Sequence, residues 1–136
     1  MAAPTTPTTV QLVNDSGDTL TLVSSTYGGV SNVIKSGESV VFEQNTSLNT
    51  FGSAVYTIGK IAIWIVVWTA NNQVATSILP AGTPAIWEDI WNKIQPDRAD
   101  YSYLSSYGWL YRSQVDIKSD GDAQTLSALL MSSDPN

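Results

Sequence analysis

The sequence predicts an all-β protein, mainly an antiparallel β-sandwich, with one inserted amphipathic helix around residues 84–95. Short runs of alternating apolar and polar residues, separated by Gly, Asp and Asn, predict many strands joined by turns. Charged residues make up only 13% of the chain, and Ser and Thr, which suit turns and exposed strand faces, take their place. Ile86, Ile90 and Ile94 repeat every four residues, which indicates the helix.

The first part of the chain contains a tail and then strands. Residues 1–8 are expected to form a flexible Pro/Thr tail, and residues 9–136 a single β-sandwich domain. The runs VQLVN (10–14) and TLTLVSS (19–25) flank the turn sequence DSGD, so they predict a β-hairpin. The next strands are predicted at residues 38–44 and 51–58.

The run IAIWIVVWT at residues 61–69 is apolar on both faces, which predicts a central strand covered on both sides. Residues 73–79 are expected to return antiparallel to it. The helix follows, and Pro96 is expected to end it. Residues 109–119 then alternate as a strand does, and residues 125–131 predict a strand or a short helix.

Tryptophans occur in pairs four residues apart in both the predicted central strand and the predicted helix. That spacing places the two rings of each pair on one face, through the helical period in one element and the strand period in the other. We expect these residues to pack the helix onto the central strand rather than to bind a ligand; they are Trp64, Trp68, Trp87 and Trp91.

The charge and the missing residue types exclude several functions. Twelve acidic and six basic residues give a net charge of −6, which argues against binding nucleic acid or anionic lipid. The absence of Cys and His excludes Ser-His-Asp and Cys-His catalysis and zinc sites built from those residues. The sequence shows neither a secretory signal nor an apolar run long enough for a transmembrane helix, so we expect a cytoplasmic protein.

Acidic residues are the remaining candidates for a metal site or a catalytic pair. Asp116, Asp120 and Asp122 are compatible with a calcium loop, but they lack the EF-hand spacing, so ordinary turns are the preferred interpretation. Glu88 and Asp89 are adjacent on the predicted helix and therefore point about 100° apart, which is unsuitable for a catalytic pair. We therefore expect no enzyme activity, no metal and no cofactor.

The segment YSYLSSYGWLY, residues 101–111, contains five aromatic side chains. Tyr and Trp combine a broad apolar ring with a polar tip, which suits sugars, choline head groups and protein interfaces. The alternative is a loop that covers the core, with its hydroxyls bonded to the backbone. A mixed arrangement is preferred, with Trp109 and one or two of the tyrosines buried and the remainder exposed. The candidate ligand-binding residues are Tyr101, Tyr103, Tyr107, Trp109 and Tyr111.

The order of several short motifs resembles the jasmonate-induced protein family of plants. These motifs are VNDSGDTLTLV at residues 13–23, GSAVY at 52–56, WIVVW at 64–68 and WEDI at 87–90. The resemblance spans roughly residues 10–131 and implies a small cytosolic stress or defence protein without an assigned reaction. The expected architecture is also similar to that of aegerolysin-like and actinoporin-like membrane binders and of several lectins.

These observations together predict a non-enzymatic stress or defence protein that binds a ligand through exposed Tyr and Trp. A carbohydrate is the favoured ligand. One alternative is a cytolysin-like protein that uses the same aromatic residues on a membrane lipid head group. Another is a homo-oligomeric structural protein whose aromatic residues contact a second copy of the chain.

Overall fold

The computed structural model describes residues 5–25, 32–47, 51–83, 87–104, 108, 110–121 and 123–133. This part of the chain contains eleven strands and one short helix. The elements are β1 (Thr5–Asp15), β2 (Leu20–Ser25), β3 (Val33–Ile34), β4 (Ser39–Ser47), β5 (Phe51–Ile58), β6 (Ala62–Thr69), β7 (Gln73–Pro80), α1 (Trp87–Trp91), β8 (Gln95–Pro96), β9 (Arg98–Leu104), β10 (Leu110–Asp120) and β11 (Ala123–Ser133).

The strands form two sheets, which confirms the predicted all-β sandwich. One sheet has five strands in the order β4-β1-β11-β10-β9, and the other has six in the order β3-β2-β5-β6-β7-β8. The paired strands are antiparallel, apart from β1 and β11, which run parallel. Residues 109–119 and 125–131 fall mainly in β10 and β11, so the second of these segments is a strand and not a helix.

The main core lies between the two sheets, where every second residue of each strand points inward. Val10 and Leu12 of β1, for example, are fully buried together with Leu126 of β11. From the six-stranded sheet, Trp64 and Trp68 contribute the two largest fully buried side chains. Burial of apolar surface at about 25 cal/mol per Å² makes this layer the chief stabilising contribution.

The central-strand prediction is confirmed by β6, which is buried on both faces. Its inward residues belong to the main core, whereas Ile65 and Val67 point to the outer face of the six-stranded sheet. There they form a second, smaller core with Ile90 of α1. The helix therefore covers the outer face of this sheet.

The predicted packing of the tryptophans is wrong, although α1 does pack against β6. Trp64 and Trp68 occupy the face of β6 that points into the sandwich, whereas α1 lies on the opposite face. The strand period decides this, because residues 64 and 68 cannot share a face with residues 65 and 67. Trp91 remains 44% exposed, and the side chain of Trp87 lies outside the described part of the structure.

The helix is also shorter than predicted. It ends at Trp91, a turn follows, and Gln95 and Pro96 pair with Val74 and Gln73 of β7 as the short strand β8. Gln95 precedes a proline, which disfavours the helical conformation at that residue. Residues 84–86, where the predicted helix begins, lie outside the described residues.

The predicted hairpin of β1 and β2 is wrong, because the two strands belong to different sheets. The chain crosses between the sheets at a corner formed by residues 14–18. The fully buried Asn14 amide donates to the carbonyl oxygens of Asp18 at 2.7 Å and Ile34 at 2.9 Å. Its oxygen accepts hydrogen bonds from the backbone N–H and the hydroxyl of Ser16. These bonds satisfy the polar groups of a corner that ladder hydrogen bonds do not reach.

The predicted tail of residues 1–8 is partly wrong, since β1 begins at Thr5. Residues 5–8 pair with residues 44–47 of β4, and Thr8 also pairs with Gln124 of β11. β-Branched threonines favour a strand. Pro7 precedes the ladder between β1 and β11, so within the described residues it has a strand partner on one side only, where sheets tolerate proline.

Candidate functional site

Three of the five predicted ligand-binding residues lie in β9 and β10, at one edge of the five-stranded sheet. Tyr101 and Tyr103 belong to β9, and Tyr111 belongs to β10 directly opposite Tyr103. Tyr101 and Tyr103 are partly buried against the main core. Tyr107 and Trp109 fall outside the described residues.

Tyr111 is a core residue. Its side chain is only 1% exposed, and its hydroxyl donates a hydrogen bond of 2.9 Å to Oδ2 of Asp18. Burial, together with this hydrogen bond, raises the pKa of Tyr111 above its ordinary value. Because the ring has almost no exposed surface, Tyr111 does not belong to an exposed ligand-binding face.

Tyr101 lines a groove of about 670 Å³, between β9 and the segment that runs from α1 to β8. Pockets of roughly 300–1,000 Å³ are the usual size of small-molecule sites. The groove lies where the edges of the two sheets meet. The residues that line it are Thr76, Asn92, Lys93, Gln95, Pro96, Arg98, Ala99, Asp100 and Tyr101.

Both signs of charge are present at this groove. The ammonium group of Lys93 lies 4.8 Å from the centre of the Tyr101 ring, within the range of a cation–π contact. Asp100 forms ion pairs with Arg98 at 3.5 Å and with Arg112 at 3.3 Å. These ion pairs are exposed, so each stabilises the fold by about 1 kcal/mol or less and leaves its groups accessible to a ligand.

Two primary amides, Asn92 and Gln95, add neutral donors and acceptors to the lining. Both side chains are exposed. Within the described part of the chain, neither side chain is held by a hydrogen bond to the protein. The groove therefore presents amide and ammonium groups beside the Tyr101 ring. Arg98 and Asp100 alternate with Tyr101 along β9, so their side chains point to the other face of that strand.

The inner wall of the groove is fixed by hydrogen bonds that cross between the sheets. Thr76 of β7 lines the groove but is only 3% exposed. Its hydroxyl lies 2.6 Å from Oγ of Ser113 in β10, and Ser113 in turn accepts a bond from Trp64. The polar lining therefore rests on a rigid part of the core.

Sequence reasoning missed most of the groove residues. Asn92, Lys93 and Gln95 were assigned to a continuous helix, whereas the chain leaves the helix after Trp91 and returns along β7. A usable signal was present in the sequence NKIQPDRAD, because a proline within a polar run directly precedes the YSY segment. Such a run predicts an irregular connection, and binding residues are common in connections.

The described residues contain no group of three or more His, Cys, Asp or Glu side chains that could hold a metal ion. Asp116 and Asp120 lie in β10, and Asp122 falls outside the described residues. None of the helical segments in this part of the chain has the length and apolar character needed to cross a bilayer.

Neither a protein-family model nor a curated protein matches the sequence. The resemblance to jasmonate-induced proteins therefore stays a prediction. Several residues of its motifs hold the fold together. Asn14 stabilises the corner between the sheets, while Tyr56, Trp64 and Trp68 are fully buried in the main core. These motifs therefore contribute to the fold, and none of the groove residues belongs to them. The motif WEDI forms most of α1, which precedes the groove residues Asn92 and Lys93 in the chain.

Proposed function

We propose that the protein is a non-enzymatic, cytoplasmic carbohydrate-binding β-sandwich whose binding site is the groove beside Tyr101. The observation that carries this proposal is one aromatic ring that lies beside an ammonium group and two primary amides in one groove. A role in stress or defence is part of the proposal and rests on the resemblance to jasmonate-induced proteins.

A sugar fits this combination of groups better than an apolar ligand does. Each sugar hydroxyl both donates and accepts hydrogen bonds, so it needs donors and acceptors close together. Asn92 and Gln95 supply acceptors, and Lys93 and the two amides supply donors. The C–H face of a pyranose ring is apolar and can pack against the Tyr101 ring.

Lys93 has a particular role in this arrangement. Its ammonium group covers the Tyr101 ring in the free protein, and its side chain is exposed. A sugar that packs on this ring face must displace the ammonium group, which then remains close enough to donate hydrogen bonds to the sugar hydroxyls. Tyr101 is thus the platform, and Lys93, together with the amides of Asn92 and Gln95, orients the ligand.

A glycan array followed by isothermal titration calorimetry with the best-bound glycan tests the proposal. Tyr101→Ala should weaken binding roughly two- to tenfold, as expected for loss of one aromatic packing contact. Asn92→Ala should also weaken it, whereas Asn45→Ala, an exposed asparagine on β4, should bind as the parent protein does. The absence of any bound glycan, or equal affinity for the parent and both groove variants, contradicts the proposal.

One observation favours the membrane-lipid alternative. Leu104 and Leu110 lie opposite each other at the end of the β9–β10 hairpin and are 65% and 40% exposed. Adjacent exposed leucines suit insertion among lipid chains. If this alternative is correct, phosphatidylcholine vesicles should leak in the presence of the protein, and Leu104→Asn should abolish the leakage. Leakage that persists in this variant would exclude the hairpin as the inserting element.

A further inference from the structure

A second pocket lies on the outer face of the six-stranded sheet, away from the groove. It measures about 220 Å³ and is lined by Phe51, Val67, Glu88, Ile90 and Trp91. Phe51 begins β5, Val67 belongs to β6, and the other three residues belong to α1. Val67 and Ile90 are buried parts of the smaller core, so they form an apolar floor.

Two aromatic rings form part of the wall of this pocket. The ring centres of Phe51 and Trp91 are 5.6 Å apart, and their planes are inclined by 52°. Trp91 is 44% exposed although it contacts the smaller core through Phe51. The two rings contact each other, and each carries partial negative charge on its face, so a ring face that borders the pocket favours a cation there.

The charge at the pocket favours the same kind of ligand. Glu88 contributes a carboxylate to the lining, and the described lining contains no basic residue. Asp89 adds a second negative charge on the same helix, in a chain whose net charge is −6. A neutral apolar ligand gains nothing from Glu88, whereas a cation is attracted by the carboxylate and by both rings.

The size and the apolar floor distinguish between kinds of cation. A cavity of about 150 Å³ holds one benzene molecule, so this pocket accepts a group of similar size and no large ligand. A primary ammonium group needs hydrogen-bond acceptors in several directions. Among the described lining side chains Glu88 alone is such an acceptor, so the pocket suits a primary ammonium group poorly. An ammonium group with three methyl substituents needs no such acceptors, and its methyl groups can contact Val67 and Ile90.

We propose that this pocket binds a small quaternary ammonium group of the choline type, against the rings of Phe51 and Trp91 and beside Glu88. The group is supplied either by a free choline-like compound or by the head group of a phosphocholine lipid. In both cases the trimethylammonium group occupies the pocket, and the rest of the ligand extends into solvent.

Calorimetric titration with choline and with its uncharged carbon isostere, 3,3-dimethylbutan-1-ol, tests this proposal directly. The two compounds have the same shape, so apolar contact alone would bind them equally. We expect choline to bind at least two- to fivefold more tightly, which is about the ratio that one exposed cation–π contact provides. Equal affinities, or no detectable binding of choline at high millimolar concentration, overturn the proposal.

Matched variants on α1 locate the site. Glu88→Gln should weaken choline binding at least twofold, whereas Asp89→Asn, which removes the neighbouring charge, should retain most of it. Both residues are exposed, so neither variant is expected to unfold the protein. Trp91→Leu should reduce the preference for choline over its isostere, because only Phe51 and Glu88 then attract the cation. If Asp89→Asn and Glu88→Gln have equal effects, general surface charge and not the pocket is responsible, and the proposal fails.

Sedimentation with lipid vesicles distinguishes a phosphocholine lipid from a free choline-like compound as the source of the trimethylammonium group. Binding of free choline together with sedimentation on phosphatidylcholine vesicles, and not on phosphatidylglycerol vesicles, assigns the site to a lipid head group. Binding of free choline without sedimentation assigns it to a soluble compound. Sedimentation that is unchanged in Glu88→Gln and Trp91→Leu counts against this pocket as the site of contact.

Discussion

The indole nitrogen of Trp64 donates a hydrogen bond of 2.7 Å to Oγ of Ser113 across the interior of the sandwich. Thr76 donates its own hydroxyl hydrogen to the carbonyl oxygen of Ile65 at 2.7 Å. The 2.6 Å contact between the two hydroxyls is therefore donated by Ser113. The result is a continuous chain of hydrogen bonds that connects β10 of one sheet with β6 and β7 of the other.

Ser113→Ala should lower the free energy of unfolding by about 1–3 kcal/mol, because it leaves the Trp64 N–H and the Thr76 oxygen without a partner in the core. Urea unfolding followed by tryptophan fluorescence measures this change. Ser127→Ala, at an exposed position of β11, is the matched control and should change stability by less than about 0.5 kcal/mol. Equal stabilities of the two variants would show that this chain of hydrogen bonds contributes nothing to the free energy of unfolding.

Asn14→Ala should cost about 2–4 kcal/mol, because one side chain accounts for four hydrogen bonds at the corner between β1 and β2. Thermal unfolding should show a clear decrease in Tm. Asn45→Ala, at an exposed position of β4, should leave Tm nearly unchanged. A small effect of Asn14→Ala would mean that water replaces the amide.

Gly52→Ala should destabilise the protein by about 3 kcal/mol or more, at the upper end of the range for overpacked cores. A Cβ atom at residue 52 would lie less than 3.0 Å from the buried Trp68 ring, and the packed core gives that ring little room to move. Trp68→Leu in the same chain should relieve the conflict. The Gly52→Ala change should therefore cost less in the Trp68→Leu background, and a double-mutant cycle measures the difference.

Two buried tyrosines should make the protein sensitive to alkaline pH. Burial raises the pKa of Tyr56 to about 12, and burial with the Asp18 hydrogen bond raises the pKa of Tyr111. In the unfolded chain both ionise near pH 10. The unfolded state therefore loses protons first, and the stabilising effect of the neutral tyrosines is complete below pH 10 and decreases as the pH rises above it.

For Tyr56 the decrease should extend to about pH 12, and each tyrosine contributes at most about 1.4 kcal/mol per pH unit. Urea unfolding at a series of pH values measures the slope. Tyr111→Phe should make the decrease with pH shallower, although it lowers stability at neutral pH by removing the bond to Asp18. An unchanged slope in Tyr111→Phe would contradict this explanation.

The fold class could be predicted because the signals for it are local. The alternation in residues 51–58 and 73–79 coincides closely with β5 and β7, and the apolar run at residues 61–69 is the doubly buried β6. Strand pairing is not local. Residues 10–14 and 19–25 have the pattern of a hairpin, but the buried Asn14 directs them into different sheets. That role depends on Ile34, which lies twenty residues further along the chain.

The candidate site was only partly predictable for the same reason. Tyr101 could be named as a candidate because aromatic residues next to serines stand out in the sequence, and its part in binding stays a prediction. Its neighbours in the groove come from β7, from the turn after α1 and from β8, and no short-range pattern shows that these segments meet β9. Tyr111 has the same side chain as Tyr101, but its position in β10 buries it and places its hydroxyl on Asp18.

The parallel ladder of β1 and β11 has a consequence for how the protein is made. β1 pairs with β4 on one side and needs β11 on the other, yet about 110 residues separate the end of β1 from the start of β11. At about 10 residues per second, a ribosome takes on the order of 10 seconds to synthesise that interval. During this time the growing chain exposes one side of β1, and a chaperone that recognises extended apolar segments has its best opportunity to bind there.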